Sequence, residues 1–322
     1  MEDHAYDDLK ESRELDIDFH LLMLLCKTRM NSYRNAIFNH GVFKDKLVAD
    51  VGSGTGILAI WCAQAGARKV YAIEPNSNND MIEKAAKKNN LENKIVVIKS
   101  NAQSAILPEK VDIIISETMD GLMFPSEGEI SIAPIADKYY YEGREQFILN
   151  FEHIYGVDFT HLLERFRKTA SSKAYVKSLP LEGLRAKPAV IDTIDFKTIK
   201  VEDCMSIRGN ISFKPEIDSV FHGFGIWFKA KFPTGEELDT GPIDHPTHWR
   251  QVICFIDKPI NLRRKVELKG DVAITLDEKM RYQNLIIDVD LNEEEKKLVK
   301  KSWEIMYKNG QHIVSPSFEI LP

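Results

Sequence analysis

The chain has 322 residues, 43% of them apolar, with 43 Lys and Arg against 49 Asp and Glu for a formal net charge of −6. That length and apolar share allow two cores without covalent staples, and the acidic balance argues against nucleic acid as the main partner. Cys26, Cys62, Cys204 and Cys254 show no C-x-x-C spacing and read as reduced thiols of a cytoplasmic chain, and no apolar run reaches membrane-spanning length.

Residues 1–18, MEDHAYDDLKESRELDID, are acidic and lack an apolar core. They read as a flexible tail, not a signal peptide. Residues 19–38 read as a helix that is apolar on nearly every side of its first turns: Phe19, Leu21, Leu22, Met23, Leu24, Leu25. Such a helix is buried on more than one face, either inside this chain or against another. From Lys46 the pattern alternates: strand 46–51, helix 57–67, strand 69–74, helix 78–90, strands 94–100 and 111–116. This predicts a parallel sheet with helical crossovers. After residue 116 Gly121, Pro125, Gly128 and Pro134 fall within 14 residues, which argues against a crossover helix before the strand expected near 130–136.

Beyond residue 138 short β-rich segments dominate and predict a second, mainly antiparallel domain. Residues 160–188 interrupt it with a stretch that reads as helical and basic, seven Lys and Arg against two Glu. Residues 292–310 read as an amphipathic helix stopped by Gly310.

DVGSGTG (50–56) follows a strand and opens a helix, with glycines at 52, 54 and 56. Ile57 means that the G-x-G-x-x-G dinucleotide fingerprint is not met. Glycines here let the backbone turn sharply and approach a ligand. Glu74 ends the next strand, where an acid accepts hydrogen bonds from ribose hydroxyls. Loop and acid together point to an adenosine-containing ligand. Glu117 arrives at the tip of strand 111–116, on the edge where open α/β sheets bind ligands. HPTH (245–248) offers two histidines and no third ligand, so no metal site is expected.

These segments resemble the protein arginine N-methyltransferases over most of the chain. DVGSGTGIL (50–58) is similar to that family's S-adenosylmethionine loop, AIE (72–74) to its ribose-binding acid, and VDIIISETM (111–119) to the strand carrying the first of two substrate-clamping glutamates. THW (247–249), YGVDF (155–159) and KVEDC (200–204) resemble barrel motifs, and 160–188 falls where the family inserts a dimerisation arm. The resemblance implies an α/β Rossmann-like methyltransferase domain, incomplete here, in 19–137 and a mainly β barrel domain in 138–322. It assigns Arg29, Asp50, Gly52, Gly54, Gly56, Glu74 and Gln103 to the cofactor and His248 to the active site.

The departures set the functional expectation. No second glutamate followed by a helix succeeds Glu117; an ungapped reading would offer Glu127, but leaves no room for the helix. One carboxylate cannot clamp a guanidinium from two sides. Cys26 stands where the family has an aspartate, Gln103 where it has an adenine-binding glutamate, and no aromatic lid motif precedes the first helix. The chain therefore most resembles the catalytically deficient prozyme subunits of trypanosomatid type I enzymes. The implied role is regulatory subunit of an active arginine methyltransferase, with Glu117 and His248 as remnants and weak or no S-adenosylmethionine binding by this chain alone. The complex would act on arginine-rich proteins. Leu21, Leu22, Leu25, Leu162, Leu163 and Phe166 are the expected interface. The alternatives are an active type I enzyme and a cofactor-sensing scaffold.

Overall fold

The computed structural model describes residues 20–21, 23–75, 79–117, 125–150, 153–154, 157–172, 174–243, 246–276, 282–290, 298–308 and 311–312. Two compact units divide the chain: Met1–Gly128 with Asp195–Thr198 and Ala230–Asp239, and Glu129–Ile194 with Ile199–Lys229 and Thr240–Pro322.

In the first unit, residues 20–21 and 23–25 are helical, and Cys26 interrupts them before α1 (Lys27–Phe38). One unbroken helix over 19–38 is therefore not what forms. Cys26 holds φ −71° and ψ 89° at the α1 N-cap and supplies no capping hydrogen bond, as expected of a side chain that is a poor oxygen-type acceptor. Four parallel strands follow: β1 (Leu47–Val51), β2 (Lys69–Ile73), β3 (Ile95–Ile98) and β4 (Ile113–Ser116), in the order β3-β2-β1-β4. α2 (Ile57–Gln64) and α3 (Asn79–Lys88) are the crossovers. Their buried apolar faces, including Leu58, Ile60 and Ile82, cover the Val- and Ile-rich strands, as a sheet buried on both faces requires. Register sets Val51 beside Ile73 and Ser116. The strand ends thus bring Gly52, Glu74 and Glu117 to one edge.

The family resemblance makes β5 (Glu127–Ile135) the last strand of that parallel sheet. It lies instead between the strands Ser219–Lys231 and Ala189–Asp195 in the six-stranded sheet. Only residues 117–126 separate β4 from β5, fewer than the dozen or so that a parallel crossover needs. The unit boundary accordingly falls at Gly128 rather than after residue 137. Residues 118–124 are outside the described residues.

In the second unit β5 is followed by α4 (Lys138–Asn150), a helix that sequence patterning does not indicate. After β6 (His153–Ile154) and β7 (Val157–Asp158) comes α5 (Leu163–Ser171). The stretch 160–188 is not one helical arm. β8 (Ala174–Lys177) pairs antiparallel with β13, and Tyr175 and Leu179 pack with Ile135, Ile253 and Phe255. β9 (Ala189–Asp195), the short helix α6 (Val201–Cys204), β10 (Ser206–Phe213), β11 (Ser219–Lys231), β12 (Glu237–Asp239), β13 (Gln251–Leu262), β14 (Leu268–Leu276) and β15 (Tyr282–Asp290) complete the expected β-rich region. The sheets run β8-β13-β11-β5-β9, with β12 on β11, and β10-β14-β15-β16-β17. Phe213, Phe221, Phe224, Val272 and Leu285 fill the core. A bulge in β11 at Gly223 lets the backbone approach Cys254, whose carbonyl a Cβ would meet at 2.1 Å.

Of the helix expected at 292–310, the described residues 298–308 are not helical. Residues 298–308 are strand β16 (Leu298–Lys308), and β17 (Gln311–His312) follows. β16 runs antiparallel to β15 with Trp303 opposite Leu285 and Lys301 opposite Ile287. Val299, Trp303, Ile305 and Tyr307 are residue types that favour strands, and pairing with β15 overrides the helical charge pattern.

Candidate functional site

The edge formed by β1, β2 and β4 holds most of the residues that the sequence singles out. Gly52, Gly54 and Gly56 have φ of 71°, 53° and 82°, conformations that glycine adopts at no steric cost. The Gly52 and Ser53 amides donate to the Ile73 carbonyl at 3.0 and 3.1 Å. The Gly54 amide donates to Glu74 Oε2 at 2.8 Å. Loop and acid are therefore one hydrogen-bonded unit, and Glu74 is buried within it.

Asp50 lies beneath the loop. Its Oδ2 accepts the Ser53 hydroxyl at 2.6 Å and the Ala59 amide at 3.0 Å, fixing the start of α2. Its Oδ1 is buried without a hydrogen-bond partner among the described residues. Burial pushes the carboxyl up to about 6, against the lowering effect of those two donors. Asp50 thus shapes the loop from below.

Above the loop sits the first helical segment. The His20 ring covers Gly54 so closely that a Cβ at 54 would lie 3.0 Å from Cε1. Arg29, buried on α1, forms a two-pronged ion pair with Glu117. Nε reaches Oε1 at 2.6 Å, and Nη2 meets Oε2. Nη1 donates to the Met23 carbonyl at 3.3 Å. One turn along α1, Tyr33 donates to the Ser116 carbonyl at 2.9 Å, and burial raises its phenol well above the usual range. Arg29 and Tyr33 are four apart on one helix face, and both grip the end of β4.

The cavity enclosed by His20, Met23, Arg29, the glycine loop and Glu117 is about 50 Å³. Small-molecule sites measure about 300–1,000 Å³. The glycine loop and Glu74 suit an adenosine; Glu74 does not line this cavity, and Arg29 within it is engaged by Glu117.

Gln103, Glu127 and His248 do not line that cavity. Gln103 is exposed on the turn after β3. Glu127, the alternative second glutamate, receives Lys231 Nζ at 2.7 Å. His248 belongs to the second unit, with its ring 4.0 Å from that of Trp249. There, buried Gln251 organises the preceding loop. Its Nε2 donates to the Thr240 and Gly241 carbonyls at 2.7 and 3.1 Å, and its Oε1 accepts the Leu179 amide at 2.6 Å. Nothing in the sequence pattern distinguishes Gln251, since its partners are carbonyls and an amide from distant segments. Leu21 and Leu25 are 49% and 74% exposed; Leu22 is outside the described residues. Leu162, Leu163 and Phe166 are half-buried rather than open, and α5 packs on α4 and β13. Among the described residues no three His, Cys, Asp or Glu side chains converge as a metal site.

Both halves of the chain have known relatives. The family model described as the arginine methyltransferase oligomerization subdomain matches residues 126–295, and that for ribosomal protein L11 methyltransferase matches 32–123. Protein arginine N-methyltransferase 6 of Danio rerio is 33% identical over 318 residues, covering 90% of each chain. The Xenopus tropicalis protein of that name is 32% identical over 288 residues, covering 81% of this chain and 84% of its own. Among solved structures, the Trypanosoma brucei PRMT1 enzyme–prozyme heterotetrameric complex with AdoHcy aligns with a TM-score of 0.80 at 25% identity, covering 89% of this chain and 97% of that one. Protein arginine methyltransferase 10 of Arabidopsis thaliana aligns at 0.75 and 28%, covering 88% and 97%.

Proposed function

The chain belongs to the protein arginine N-methyltransferase family, and we propose that within it this member is a catalytically deficient paralogue that serves as the regulatory subunit of an active arginine methyltransferase. The observation that carries this reading is the state of the two candidate glutamates. Glu117 is held by Arg29 and Glu127 by Lys231, so neither carboxylate is placed to take a substrate guanidinium. Methyl transfer to arginine requires that cation to be oriented and neutralised beside the methyl donor. S-adenosylmethionine, when bound to the assembled complex, supplies the methyl group. In this chain the glycine loop and Glu74 would receive its adenosine, weakly or not at all while the cavity stays closed. Exposed Leu21 and Leu25 provide an apolar patch suited to a partner subunit, and a heterotetrameric enzyme–prozyme complex among the structural neighbours supports that assembly. Four cysteines with no disulfide among the described residues fit a cytoplasmic setting.

A second reading, an active arginine methyltransferase, is favoured by the likeness to chains named protein arginine N-methyltransferase 6. The decisive test is affinity purification from the native cell, followed by methyl-transfer assays on an Arg-Gly-rich peptide. The regulatory reading requires a co-purifying methyltransferase, no turnover by this chain alone, and full complex activity with Glu117→Gln. Turnover by the isolated chain that Glu117→Gln abolishes would establish the second reading instead.

A further inference from the structure

The second unit carries a groove of about 720 Å³ unrelated to the methyltransferase edge, lined by residues of 187–188, 212–217 and 264–267. We propose that it binds an acidic peptide segment carrying an aliphatic residue, presented by a protein partner.

The walls are tied to each other. The Lys265 amide donates to the Pro215 carbonyl at 2.9 Å, and the Arg264 amide to Asp218 Oδ1 at 2.5 Å. Lys265 itself is held at φ 64°, a left-handed conformation that a lysine adopts only when its surroundings impose it. The groove is therefore preformed by the turn between β13 and β14 and the loop after β10.

Its charge opposes that of the chain. Lys187, Lys214, Arg264 and Lys265 line it, against the carboxylates of Glu216 and Glu267. Glu267 is engaged by the Ser212 hydroxyl at 2.6 Å and by Lys269 at 3.2 Å. Glu216 lies 3.8 Å from Lys187 with both side chains largely in water, a pair that contributes little. Arg264 and Lys265 have no ion-pair partner among the described residues. Beside these cations Ile217 is 62% exposed. Separated cations around an open groove, with an aliphatic contact between them, match an extended segment of alternating acidic and aliphatic side chains. A basic arginine-rich segment would be repelled. Single-stranded nucleic acid stacks on aromatic side chains, and none lines this groove. Inorganic phosphate is far smaller than the space.

The test is fluorescence anisotropy of the full chain with a dye-labelled Glu-rich peptide carrying a leucine pair. Arg264→Glu with Lys265→Glu should weaken binding roughly tenfold or more. Lys187→Glu with Lys214→Glu should do the same from the other segments, so that a local defect in one turn is separated from loss of charge. Lys84→Glu with Lys88→Glu, exposed on the first unit, should leave binding unchanged. Peptides with Gln for Glu, or Ser for Leu, should bind more weakly. Equal binding of the Gln peptide, insensitivity to both groove reversals, or an equal loss in the first-unit control would overturn the proposal. Displacement of the peptide by inorganic phosphate or by a single-stranded oligonucleotide at comparable concentration would overturn it in favour of a simple anion or nucleic-acid site.

Discussion

Breaking the Arg29–Glu117 clasp should loosen α1 and, at the same time, improve cofactor binding. Arg29 is 3% exposed and Glu117 receives two of its guanidinium nitrogens. Glu117→Gln keeps one acceptor but removes the charge, and a hydrogen bond to a charged group contributes about 1.5–3 kcal/mol. A loss of about 2–3 kcal/mol in the opening free energy of α1 follows. Arg29→Met removes the cation and leaves a carboxylate whose side chain is 18% exposed, so water offsets part of the loss. Because the two residues act as a pair, the double variant should cost less than the sum of the singles by about 2 kcal/mol. Hydrogen exchange of the α1 amides measures this locally, without reference to the second unit. The same Glu117→Gln variant frees Arg29 and the roughly 50 Å³ cavity from their closed arrangement. Calorimetric titration should then show tighter S-adenosylmethionine binding than in the unaltered chain. Additive energies within about 0.5 kcal/mol, or weaker cofactor binding by the Gln variant, would refute the reasoning.

Three further outcomes are expected. Asp50, pushed up to about 6 by burial, holds its proton more tightly in the native state than in the unfolded chain, where aspartate titrates near about 4. Its ionisation penalty is absent below that pH and complete above about 6. Stability of the first unit should therefore fall as pH rises through this window, by up to about 3 kcal/mol; Asp50→Asn should flatten that slope, and a slope unchanged in the variant would contradict the assignment. Gly54→Ala places a Cβ at φ 53° and 3.0 Å from the His20 ring, for a loss of about 1–2 kcal/mol; His20→Ala should recover only the contact part, as thermal melts of the single and double variants would reveal. Leu21→Asp with Leu25→Asp alters two open side chains, so stability should move by no more than about 0.5 kcal/mol while co-purification of the proposed methyltransferase partner is lost; retention of that partner would remove this patch from the proposed interface.

Much of the first unit is legible in the amino-acid sequence. The strands and helices that alternate from Lys46 can be read there because β1 to β4 are short, mostly apolar runs and each crossover helix is amphipathic or apolar over its own length. Such signals are local. The glycines at 52, 54 and 56 also declare themselves, since few other positions require positive φ three times in five residues. The closure of Arg29 onto Glu117 does not. The two lie 88 residues apart, and each has a plausible role by itself, one toward a cofactor carboxylate and one toward a substrate cation. Only their juxtaposition shows that they neutralise each other.

By itself, then, the amino-acid sequence determined the parallel sheet, the ligand-facing loop with Glu74, the β-rich second half and the shortened connection after Glu117. Tertiary structure decided where β5 pairs, that residues 174–177 are strand β8 and that residues 298–308 are strand rather than helix. For β5 and β8 the deciding interaction is a row of backbone hydrogen bonds to a strand far away in the chain; for β16 it is the pairing with its neighbour β15. The helical charge pattern of 298–308 is worth a few tenths of a kcal/mol per pair. Pairing nine of its residues with β15 outweighs it.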